Sequence, residues 1–141
     1  MCGKLRPDGT GELKIHSETL FFDPAKLPRP ANPAGAALGR QRWAEAADRN
    51  ENALVREFAH ALAEDQAGGV LLDAVFGNSP FLGQCLVSNP GFVATLCTDG
   101  PDAAFAAILS GLERDAPPDT PTAGIMRTLR IARQRCALTV A

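Results

Sequence analysis

Leu71-Leu72-Asp73-Ala74-Val75-Phe76-Gly77-Asn78-Ser79-Pro80-Phe81-Leu82 is the stretch whose punctuation decides the fold. A helix-like run from Val70 to Phe76 meets Gly77-Asn78, residues suited to a helix C-terminus, and Ser79-Pro80 opens another helix at once. Proline fits the first helical turn because its missing N–H would be unpaired there anyway. A Ser, Thr or Asn just before it can cap the next free amides. The same punctuation recurs at Asn32-Pro33, Asn89-Pro90, Gly100-Pro101 and Thr120-Pro121. A further helix is expected near Asn50 or Asn52, where Leu54, Phe58, Ala61 and Leu62 follow at the spacing of one helical face. Phe105, Ile108, Leu109 and Leu112 form the apolar stripe of the helix after Pro101. No strand alternation follows Asp23. The reading is all-α, an irregular array of about six to seven helices with no fixed repeat.

Length and composition agree with this picture. A chain of 141 residues, 45% hydrophobic with a net charge of −2, suits one globular domain with a sizeable core. Its apolar runs are short and broken by charge or proline, so no membrane span is expected. Met1-Cys2-Gly3-Lys4 opens no apolar signal-peptide core, and a cytoplasmic location follows as the expectation. Cys2, Cys85, Cys97 and Cys136 form no CxxC pair and read as free, mostly buried thiols. His16 and His60 share no ligand spacing with them, which disfavours zinc.

Residues 1–31 differ from the rest. They are rich in Gly and Pro, with one short alternation at Leu13-Lys14-Ile15-His16, and are expected to form an extended or disordered N-terminal arm, a small hairpin being the alternative. The helical domain is expected to cover 32–141, with a linker at Asp115-Ala116-Pro117-Pro118-Asp119. Its last run, from Thr120-Pro121, reaches Val140-Ala141 without a Gly, Asn or polar stop. The chain is therefore expected to break off inside a helix, leaving the domain truncated at its C-terminus.

On that last run, Ile125, Leu129, Ala132, Cys136 and Val140 fall on one predicted core seam at about 100° per residue. Ile131 and Leu138 fall on nearly the opposite side, between Arg127 and Arg135, so Arg127, Arg130, Ile131 and Leu138 are the candidate interface residues. Scattered surface apolar residues are the ordinary alternative. Charge is uneven as well: Glu57 to Asp119 holds nine acids and one base, whereas Thr120 onward holds four arginines and no acid. A basic helix can contact phosphates, but intramolecular complementarity and a solvated face explain the pattern more simply, and nucleic acid is not an expected partner.

No catalytic constellation is visible. Ser79 has no histidine nearby and reads as an N-cap, not a nucleophile. Gly68-Gly69 run into a helix, and Asp73 alone is a solvated helix residue, not a metal ligand. His60 reads as a partly buried or surface histidine, and Trp43 as an anchor in the core or against the arm. Catalytic, cofactor-binding and metal-binding residues are therefore expected to be absent from this chain.

From about Leu27 onward the chain resembles the N-terminal helical part of the bifunctional glutamine synthetase adenylyltransferase/adenylyl-removing enzyme family. Leu71 to Leu82 is the most specific stretch, followed by Asn89-Pro90-Gly91-Phe92 and the closing Leu129-Arg130-Ile131-Ala132-Arg133-Gln134-Arg135-Cys136-Ala137-Leu138. The order and spacing of these pieces carry the resemblance. It implies an enzyme of nitrogen metabolism that attaches AMP to glutamine synthetase and removes it, with PII-type regulators and glutamine as signals. Its two nucleotidyltransferase domains use ATP and magnesium, held by a Gly-rich turn and a Ser-Asp-x-Asp type motif. This chain has no such motif, so the resemblance carries over no catalytic residue. Its implied partners are glutamine synthetase, PII-type regulators and, for a fragment, the downstream nucleotidyltransferase domain. A stand-alone helical interaction module that binds glutamine synthetase or a regulator is the alternative.

Overall fold

The computed structural model describes residue 20 and residues 22–141. Seven α-helices follow a short 3-10 turn at Pro24–Lys26: α1 Pro33–Asp48, α2 Ala53–Glu64, α3 Gln66–Asn78, α4 Pro80–Ser88, α5 Pro90–Asp99, α6 Pro101–Asp115 and α7 Thr122–Val140. Among the described residues there is no strand, and the all-α array is as expected. The arm proposed for 1–31 lies outside the described residues for 1–19 and 21. The rest of it runs onto α3, where the Asn78 side chain accepts from Ala31 N (3.1 Å) and donates to Arg29 O (3.0 Å).

Proline stands in the first turn of α1, α4, α5 and α6. Asn32 caps Gly35 N at 3.0 Å and Ser79 caps Leu82 N at 3.2 Å. Asn52 caps α2 through Leu54 N. The start of α7 is corrected by one position: Pro121 precedes the helix, and Thr120 donates to Pro117 O (2.7 Å), closing a turn instead of capping. The short helix expected from Val70 begins four residues earlier, at Gln66, because Asp65 caps Gly68 N at 2.8 Å and Gly68-Gly69 lie within the first turns.

α3 ends at Gly77-Asn78 as expected, but Gly77 acts there by its size. The helix runs through it to Asn78, and it ends without a left-handed residue there. A β-carbon at Gly77 would run into Pro30, with the Pro30 α-carbon 2.8 Å away, so glycine lets the incoming chain lie directly on α3. Gly100, at φ 89°, holds the positive φ between α5 and α6, a conformation open to glycine at little cost.

The core draws on every helix. Trp43 of α1, Phe58 and Leu62 of α2, Leu72 of α3, Cys85 of α4, Val93 of α5, Ile108 of α6 and Leu138 of α7 form one cluster. Trp43 donates its indole N–H to Ala59 O at 2.9 Å, so the largest core side chain buries no unpaired polar group. Arg40 ties three helices, donating from α1 to Ala63 O and pairing with Asp73 of α3 at 3.4 Å. On α6 the predicted stripe is corrected: Ala104, Ile108 and Gly111 are buried, whereas Phe105 and Leu109 are half-exposed. Small residues bring that helix close, and the larger ones flank the contact.

Candidate interaction surface on the last helix

The buried side of α7 is the corrected element of greatest consequence. Leu138 is 8% exposed and belongs to the core, while Leu129 is 50% and Val140 85% exposed. The helix buries the sector between the two expected strips. Ile131 and Leu138 form one shoulder of the inward face, Ala132 and Cys136 the other, and Thr128, Arg135 and Thr139 run between them. Polar residues can hold that middle because each finds a partner. Thr128 and Thr139 donate back to Gly124 O and Arg135 O, at 3.0 and 2.9 Å.

Arg135 donates to Asn89 Oδ1 at 3.3 Å and lies over the Phe92 ring, 5.5 Å from its centroid. Burial lowers its pKa and the charge of Asp115 opposes that shift. Asn89 is itself buried and donates to Cys85 O (2.9 Å) and Gln134 Oε1 (3.1 Å). It makes no side-chain cap for α5. This polar knot fastens α7 to the junction of α4 and α5. Local sequence hid it, because Asn-Pro is the ordinary signature of a helix start.

The outward face of α7 carries Met126, Arg127, Leu129, Arg130 and Arg133, all exposed. Arg133 lies over the half-exposed Phe81 ring of α4, 5.6 Å from its centroid, and so continues the face onto the next helix. Among the described residues, Arg127, Arg130 and Arg133 have no carboxylate within 4.0 Å. The expected intramolecular complementarity therefore reduces to Arg135, which feels Asp115, and Asp115 is itself bonded to Arg114 at 3.0 Å. Of the candidate interface residues, Arg127 and Arg130 lie outward, Ile131 is half-buried, and Leu138 packs into the core instead of lying opposite it.

Elsewhere the chemistry is sparse. A cavity of about 350 Å³ between α3, α4, α5 and the end of α7 has walls such as Leu71, Val75, Leu82, Leu96 and Leu138. Among the described residues Cys97 is the one titratable side chain lining it, and burial pushes that thiol up to about 12. Such walls present no acid–base pair. Cys85 is buried too, its pKa raised by burial against the opposing charge of Arg133, while Cys136 is half-buried; Cys2 lies outside the described residues. His60 and Asp48 form a surface pair at 2.8 Å. Among the described residues no group of three or more His, Cys, Asp or Glu is placed to share a metal ion. No described helix is long and apolar enough to cross a membrane.

Comparison with protein families, with curated proteins and with solved structures finds no match to this chain.

Proposed function

We propose that this chain is the N-terminal helical part of a glutamine synthetase adenylyltransferase/adenylyl-removing enzyme, acting in the cytoplasm in nitrogen regulation. It contributes helical framework and contact surface; the nucleotidyltransferase chemistry, with its ATP and magnesium, belongs to domains outside these residues. The observation that supports this reading is that separate pieces carrying the resemblance touch. Asn89 and Phe92, from the second piece, are the partners of Gln134 and Arg135 in the third. The first piece, Leu71 to Leu82, forms the α3–α4 junction directly upstream.

The reading is tested at the gene and at the bench. An open frame beyond Ala141 leading to a Gly-rich turn and a Ser-Asp-x-Asp motif is the expected result. The purified chain alone is expected neither to adenylylate glutamine synthetase nor to release AMP from its adenylylated form. Magnesium-dependent AMP release, lost on replacing one of its acids, would overturn the assignment.

The second reading, a stand-alone module that binds glutamine synthetase or a regulator, is favoured by the exposed basic and apolar face of α7. A stop codon directly after Ala141, with saturable binding of the chain to glutamine synthetase or a PII-type protein, would establish it instead.

A further inference from the structure

We propose that the outward face of α7, extended by Phe81 of α4, docks an acidic amphipathic helix of a partner protein. The inference stands apart from the family assignment, since it rests on the surface alone. Met126 (56% exposed) and Leu129 (50%) are three residues apart, and Arg133 follows four residues later with its guanidinium over Phe81 (49%). The spacing of three and four makes a ridge along one side of the helix. Arg127 and Arg130 complete the exposed arc, so apolar ridge and positive charge lie side by side on one surface.

Two features select the occupant. Arg127, Arg130 and Arg133 have no carboxylate within 4.0 Å among the described residues, so a partner bearing Asp or Glu beside its own apolar stripe would meet both needs of the face. The backbone of this face is hydrogen-bonded within α7 and α4, and the described residues offer no strand edge. Recognition must then run through side chains, which is how a helix is read by an apolar surface. A nucleic acid would also be drawn to the arginines, but it has no use for Met126 and Leu129 and meets a chain of sequence pI about 5.6.

The test uses the full chain and a labelled peptide of about 18 residues, five helical turns, with Leu in a heptad stripe flanked by Glu. Fluorescence anisotropy at low salt is expected to show saturable binding that weakens as salt rises. The same peptide with Lys for Glu, and a scrambled peptide of the same composition, are expected to bind at least about tenfold more weakly. Met126→Ser with Leu129→Ser, and separately Arg130→Glu with Arg133→Glu, should each weaken binding at least about tenfold with circular dichroism and melting temperature retained. Leu54→Ser, at an exposed apolar residue on α2, should leave binding unchanged. Absence of peptide binding, equal binding of the Lys or scrambled peptide, or indifference to both double variants would overturn the proposal. So would recruitment to phosphatidylserine vesicles, or binding of a single-stranded oligonucleotide, that competes the peptide away.

Discussion

The amide of Asn89 faces away from the helix it precedes and toward Cys85, Gln134 and Arg135, while Asn32, in the same Asn-Pro setting, caps its helix in the ordinary way. The difference lies in what packs above them. Asn89 sits under α7 and is 6% exposed, so its polar atoms serve the partly buried residues that cross over them instead of the free amides of the first turn of α5. Asn89→Leu should therefore lower stability by about 2 kcal/mol, by stranding Arg135 and Gln134 in a partly buried place. Asn52→Ala, the loss of an exposed cap, should cost about 1 kcal/mol. Urea denaturation of the two variants gives the comparison, and equal losses would show that Asn89 is only a cap. Cys97 supplies a second residue-scale prediction. Burial raises its pKa from the ordinary thiol value of 9.0 to about 12 in the folded state, so above pH 9 the unfolded chain gives up this proton first. The stability tied to the protonated thiol is fully present below pH 9 and lost as pH rises toward 12. The wild type should lose about 1 kcal/mol per pH unit more than Cys97→Ala across that window. Parallel stability curves for the two would refute the burial account.

At the scale of the helix, capped starts were legible, and so was the Phe58-Leu62 side of α2, whereas the buried faces of α6 and α7 were read only in part. A start is local: Asn32, Asn52 and Ser79 each carry their own acceptor two or three residues from the amide it satisfies. The face of α7 depends on neighbours. Arg135, one of the arginines expected on a solvated face, lies with Thr128 and Thr139 on the inward side, where their partners are helix carbonyls and the Asn89 amide, and the last is remote along the chain. Leu129 and Val140, placed on the expected core seam, are turned outward by that arrangement. The α6 stripe misled for a related reason, since Ala104 and Gly111 give close contact and the larger Phe105 is left half-exposed. The helix does end at Gly77-Asn78 as expected, but the glycine there serves a close approach to Pro30 and not a left-handed turn. Gly77→Ala would place a methyl against Pro30, whose backbone follows the short extended segment docked on α3. It should cost about 2 kcal/mol by overpacking and increase amide exchange at Ala31 and Asn32, whose N–H groups bond to Asn78 and Gly77. A neutral or stabilising effect would mean that Pro30 gives way freely.

Across the whole molecule, one cluster of buried side chains runs from Trp43 in α1 to Leu138 in α7, so the first and last helices share a core although they stand far apart in sequence. The seven helices should then unfold together, with no separate melting of α7. Leu138→Ala removes a side chain that is 8% exposed within that cluster, and should cost about 2 kcal/mol, the lower end of the range for such truncations because the site opens toward the neighbouring cavity. For a domain of this length the loss corresponds to a fall of about 6 to 8 °C in melting temperature. Trp43 is the only tryptophan and is fully buried in the cluster, so its fluorescence reports the first helix while far-ultraviolet circular dichroism reports all seven described helices. In the variant both signals should shift by the same amount and remain superimposable. A circular dichroism transition that moves to lower temperature while the Trp43 transition stays in place would show that α7 opens by itself and that the core is two units.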